Sequence, residues 1–177
     1  MQCFINRHDT QIPATTQEVE LLLGPMGVVL STWQLDLSHC VFPCQSDVDK
    51  QAVLSLLENP LQALKQEHGY QSEDIVCLTS DNPKLDAILK PFETPHYHTD
   101  DEVRTILDGE GVFTIYPDRE TSVDVVMQRG DFLIVPKNVM HSFTLTAQKY
   151  VVALRVFAEN PKWEAHYEWL DSKTLNV

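Results

Sequence analysis

His96-Tyr97-His98-Thr99-Asp100-Asp101-Glu102-Val103-Arg104 is the stretch on which the reading of this chain turns. Two histidines, three acids and an arginine fall within nine residues. His96 and His98 are two apart, so on an extended strand both imidazoles face the same way. Glu102 and Arg104 share that parity on the far side of a short acidic link. A straight strand does not bring them all to one ion, because an extended chain from His96 to Glu102 spans roughly 20 Å. The ligands of a metal lie about 2 Å from it. The spacing therefore predicts a turn at Thr99 to Asp101 that returns Glu102 to the histidines. Two imidazoles and a carboxylate then take three positions around a divalent metal and leave others open. A third histidine from elsewhere completes a mixed nitrogen and oxygen set suited to Fe, Ni, Mn or Zn.

The bulk properties surrounding this stretch exclude several classes. At 177 residues the expectation is one domain over 1–177, long enough to bury a substantial core. The formal charge of −13 argues against nucleic acid or an anionic membrane as partner, since both need a basic footprint. With five arginines in the chain, any that falls inside a strand needs a reason. Cys3, Cys40, Cys44 and Cys77 complete no zinc-finger spacing and read as reduced thiols. No signal-like start and no apolar run of about 18 residues is present, so a cytoplasmic location is expected. Nothing suggests a coiled coil, and a monomer is the default.

Residues 1–40 read as short strands and turns, with Gly24-Pro25 as a breaker and strand-like Val28-Val29-Leu30 and Thr32-Trp33-Gln34-Leu35. Helical periodicity runs over about 47–68, capped by Ser46 or Asp47 and interrupted at Asn59-Pro60. A strand is expected over 72–79 and a short helix over 83–89. From 92 to 157 the texture is strand and turn throughout, with Asp108-Gly109 as a hairpin signal and Arg129-Gly130-Asp131 as another turn. Short, evenly spaced strands of this kind indicate an antiparallel sandwich or barrel. The fold class is mainly β, with a few peripheral helices from the N-terminal half.

His141 is the candidate third imidazole, reached through Gly130 and Pro136. The pattern resembles the two motifs of the cupins. His96, His98, Glu102 and Gly109 meet the first, and Gly130, Pro136 and His141 meet the second. Lys90 and Asn138 stand where glycines are usual, and Leu145 replaces a closing Asn. The resemblance implies a double-stranded β-helix, or jelly roll, with the metal inside.

Within the cupins the chain is similar to the acireductone dioxygenase family. The residues that carry this are Phe92, the His96–Arg104 run, Asp108 to Phe113, Gly130 to Pro136, His141-Ser142-Phe143, Leu154 to Phe157 and Trp163. Trp33-Gln34, Asp74-Ile75-Val76 and Asp81 to Lys84 add to it. The resemblance implies that His96, His98, Glu102 and His141 bind one Fe(II) or Ni(II). It also implies that 1,2-dihydroxy-3-keto-5-methylthiopentene is cleaved by dioxygen in methionine salvage. In such enzymes Fe(II) gives 4-methylthio-2-oxobutanoate and formate, and Ni(II) gives methylthiopropanoate, formate and carbon monoxide. Pro95 replaces a common Glu before the first ligand, and Thr105 an aromatic after the arginine.

Arg104, on the face of Glu102, and Arg155, inside an apolar run, are expected to hold the substrate anion, since a guanidinium stays charged and grips oxygens in a fork. The plain alternative for each is an ion pair with an acid. Phe92, Phe143 and Trp163 are expected to wall the methylthio tail. His8, His39, His68 and His166 have no ligand spacing. The rival readings are another metal cupin, either a different dioxygenase or a sugar-phosphate isomerase, or a non-catalytic cupin that binds a small ligand.

Overall fold

The computed structural model describes residues 1–159 and 164–169. The N-terminal segment forms a hairpin, β1 (Gln2–Arg7) and β2 (Thr10–Pro13), followed by helix α1 (Thr16–Leu23) and the short strand β3 (Val29–Thr32). Helices α2 (Asp47–Leu56) and α3 (Glu58–His68) precede β4 (Ser72–Leu78), and α4 (Leu85–Glu93) leads into the His96 segment. Among the described residues the second half contributes the strands β5 (Glu102–Ile115), β6 (Thr121–Gln128), β7 (Asp131–Val135), β8 (His141–Leu145) and β9 (Val151–Phe157).

All the pairings are antiparallel, and β5 belongs to two sheets. Its first half lies between β7 and β9, in the order β3-β7-β5-β9-β4. Its second half lies between β6 and β8, in a sheet continued by β1 and β2. The result is the jelly roll expected from the sequence. Ile106, Phe113, Val125, Leu133 and Ala153 form one apolar cluster on the faces that look at each other. A second cluster lies behind β7, β5 and β9, where Val103, Ile134 and Leu154 meet Val53 of α2, Leu61 of α3 and Leu57 between the two helices. Because β7 is covered on both faces, its sequence is a continuous apolar run after Asp131.

Four local expectations need correction. The Asp108-Gly109 hairpin does not form: β5 runs straight through it as a 14-residue strand with a bulge between Ile106 and Asp108. Gly109 has a φ of 72°, and a Cβ there would run into the Tyr150 carbonyl, so glycine serves the bulge rather than a reversal. The helical stretch 47–68 is broken at Leu57, not at Pro60, which sits in the first turn of α3 where a missing N–H leaves no bond unmade. Helix α4 extends past 89 to Glu93, because Leu85, Leu89 and Phe92 share one face and Pro91 falls only in the last turn. Residues 16–23, read as strand or turn, are helical. Thr15 accepts from the Glu18 N–H at 3.3 Å and Glu18 accepts from the Thr15 N–H at 2.8 Å, a reciprocal cap that fixes the start.

Candidate metal centre

The chain leaves α4 through Thr94 and Pro95 and enters the barrel as a short extended run. His96 and His141 face each other across an isolated bridge, each donating its backbone N–H to the other's carbonyl at 2.8 Å. The His98 carbonyl accepts the Asn138 N–H at 2.8 Å. Asn138 holds a φ of 66°, which explains how it replaces a glycine: asparagine tolerates the left-handed region better than other side chains. The ligand run is thereby laid against the β7–β8 connection. Asp101 then bends it, accepting the Tyr70 hydroxyl at 2.8 Å and the Lys137 N–H at 2.9 Å. This is the turn the spacing demanded, and it delivers Glu102 as the first residue of β5.

The three imidazoles are oriented alike. Nδ1 of His96 bonds the Thr94 carbonyl at 2.7 Å, that of His98 the Glu164 carbonyl at 2.8 Å, and that of His141 the Val139 carbonyl at 2.8 Å. A carbonyl only accepts, so each Nδ1 carries the proton and each Nε2 turns inward with a lone pair. Glu102 Oε2 lies 3.0 Å from Nε2 of both His98 and His141, while Nε2 of His96 is buried with no hydrogen-bond partner among the described residues. One ligand atom from each of the four lies within 4.8 Å of the others, and all four residues are buried. Four acceptors converge without a donor among them, an arrangement that a cation resolves. Three nitrogens and one carboxylate fit a divalent transition metal and leave coordination positions over. The four residues form a buried group able to bind a metal.

The electrostatics agree. Burial, then the neighbouring His141, pushes His96 down to about 4, so its ring is neutral at physiological pH. Burial alone would raise Glu102, but the Arg104 guanidinium, whose Nη2 is 3.0 Å from Oε1, outweighs it and holds the carboxylate well below its usual range. Arg104 is itself pushed down to about 10 by burial, against the pull of Glu102, and remains a cation at neutral pH.

His96, Glu102, Arg104 and His141 open onto a cavity of about 180 Å³. This is smaller than the roughly 300–1,000 Å³ of sites for drug-sized ligands and suits a small metabolite. Phe92 and Phe143 line it, as does Arg155, while Trp163 lies outside the described residues. Arg155 is a half-buried member of the lining. Its Nε donates to Asp74 Oδ1 at 2.6 Å and its Nη2 donates to Asp74 Oδ2. Both arginines therefore have acid partners, and both also face the cavity. Thr105 points the other way, beside Phe132 and Leu154 in the layer under the helices, and does not reach the site.

Sequence reasoning assigned no task to Asp74, Asp101, Tyr70 or the Glu164 carbonyl. Asp101 was visible as one acid too many in the ligand run. The other three act across long separations and carry no local signal. His166, which is not among the four converging residues, pairs its backbone with Tyr97 at 2.9 Å in both directions and lays the C-terminal segment beside the site.

Comparison with known proteins agrees with this geometry. The model of the ARD/ARD' family matches residues 37–165. An acireductone dioxygenase of Geobacillus kaustophilus is 41% identical over 166 residues, covering 90% of this chain and 91% of the relative. One from Bacillus subtilis is 39% identical over 155 residues, covering 86% and 87%. A solved acireductone dioxygenase from Bacillus anthracis, with a cadmium ion in its active center, superposes with a TM-score of 0.81 at 31% identity. That match covers 94% of this chain and 98% of the other.

Proposed function

The chain belongs to the ARD/ARD' family of acireductone dioxygenases, and on that footing we propose that it cleaves 1,2-dihydroxy-3-keto-5-methylthiopentene with dioxygen in methionine salvage. The observation that carries the reading is the convergence of four buried acceptors at the charged end of an otherwise apolar cavity. His96, His98, Glu102 and His141 hold one divalent ion, Fe(II) or Ni(II), per chain. Bound there, such an ion would supply Lewis-acid stabilisation of the enediolate.

The chain's own groups do the rest. Arg104 keeps its charge against Glu102 and faces the cavity, where it balances the negative enediolate in a site poor in water. Arg155, clamped by Asp74, offers a second, more weakly available guanidinium at the same wall. Phe92 and Phe143 exclude water from the reacting carbons and flank the tail. Both oxygens of O2 enter the products. With Fe(II) these are 4-methylthio-2-oxobutanoate and formate; with Ni(II) they are methylthiopropanoate, formate and carbon monoxide. The apolar majority of the lining opposes a sugar-phosphate substrate, whose hydroxyls would lie unpaired against it.

The test is oxygen uptake by protein stripped of metal, reloaded anaerobically with Fe(II) and mixed with chemically generated acireductone. The expected result is uptake well above spontaneous oxidation, with formate and the keto acid as products. Uptake at the background rate by fully metallated protein would remove the substrate assignment.

A further inference from the structure

The cavity is graded along its length, and the register of three adjacent strands shows how. β4, β9 and β5 lie side by side, so their cavity-facing residues fall into rows. The first row is Asp74, Arg155 and Arg104; the second is Val76, Ala153 and Ile106; the third pairs Leu78 with Val151. Successive rows are two residues apart, roughly 7 Å along the strands. All the formal charge sits in the first row, beside Glu102, and none in the other two. In the second row Ala153 stands between two β-branched side chains, which are stiff at χ1 and cannot swing into the space a methyl group leaves. Ala153 and Ile106 are both buried, so this notch belongs to the interior rather than the surface. Phe113, Phe143 and Ile88 also line the cavity.

We propose that Ala153 sets the length of the tail that the site accepts: the enediol head lies at the charged row, and an unbranched apolar tail runs along β9 into the notch over Ala153. This rests on the dioxygenase reading for the identity of the head group. The tail points along the β4-β9-β5 wall, and its far end meets Val151 and Leu78. A larger side chain at 153 fills the notch and favours enediols with short tails.

The test compares Fe(II)-loaded wild type with Ala153→Leu on two acireductones, the methylthioethyl compound and an analogue whose tail is a single methyl. The quantity read is the long-to-short ratio of kcat/KM. It is expected to fall roughly ten- to two-hundred-fold, the range for misfitting methylenes in an apolar pocket, mainly through KM of the long substrate. An unchanged ratio, whether both substrates suffer equally or neither does, overturns the proposal. If Ala153→Leu does not fold, Ala153→Val is read the same way, with a smaller fall expected. Calorimetric titration of the Ni(II)-loaded proteins with hexanoate and acetate separates this proposal from the assignment of the reaction. Should wild type turn over no acireductone yet prefer hexanoate, and Ala153→Leu lose that preference, the dioxygenase reading fails and the tail notch stands. Equal binding of hexanoate and acetate to wild type overturns the notch whatever the turnover.

Discussion

The phenol of Tyr70 donates a 2.8 Å hydrogen bond to Asp101 Oδ2, tying the segment after α3 to the residue that precedes Glu102. Burial, followed by this bond, raises the Tyr70 pKa, so the hydroxyl stays a donor at any physiological pH. Asp101 holds the bend and Glu102 depends on the bend, so Tyr70 bears on the metal without touching it. Tyr70→Phe is expected to leave the fold intact and weaken metal binding roughly ten-fold, at the low end for residues that orient ligands. Competition with a chelator of known affinity measures it. Asp101→Ala, which also strands the Lys137 N–H, is expected to do more.

His96→Ala removes the imidazole whose Nε2 has no other partner. Metal retention and turnover are both expected to vanish, as judged by elemental analysis of dialysed protein alongside oxygen uptake. Full occupancy in this variant would show that the ligand set is wrong.

Arg104→Met separates charge from shape, since the side chain keeps much of its length. In metal-free protein Glu102 is left as a buried anion without its guanidinium. A loss of about 3–5 kcal/mol is expected, as when one partner of a buried pair is removed. Metal restores a counter-charge to Glu102, so urea unfolding should show a smaller loss in the loaded form. Turnover should stay depressed by about 100-fold or more even when the metal site is full.

Asp108 gives a pH dependence distinct from the metal site. Burial alone would raise its pKa, but bonds from Arg129, Tyr150 and the Gly109 N–H outweigh this and lower it. Folded protein therefore binds this proton less readily than unfolded protein. Its stabilising contribution is whole above about pH 4, the ordinary aspartate value, and is lost as pH falls through the folded value. Asp108→Asn is expected to be less stable than wild type at pH 7, with a gap that narrows on acidification below about pH 4. Parallel denaturation curves across that range test it.

The buried four-residue group was legible because its chemistry is local: His96, His98 and Glu102 lie within seven residues, and His141 follows a recognisable glycine and proline. The strands of the second half were legible from alternation and turn residues. What escaped depends on competition between signals or on distance. Asp108-Gly109 is a good hairpin dipeptide, yet the Gly109 conformation was used to bend one strand between two sheets. Thr15 and Glu18 spelled a helix start that the apolar run after them masked. The pairing of Arg155 with Asp74 spans 81 residues, and no local pattern announces it. Ala153 carries no signal at all in the sequence; only the register that sets it between Val76 and Ile106 gives it meaning.

The Glu164 carbonyl fixes the orientation of His98 from 66 residues downstream. On a ribosome adding about 5–20 residues per second, several seconds separate the emergence of these two residues. Until then the nascent chain lacks the carbonyl that accepts from this imidazole. The four-residue group is therefore complete, with all three imidazoles oriented, only once the C-terminal segment has been made and has folded back beside Tyr97.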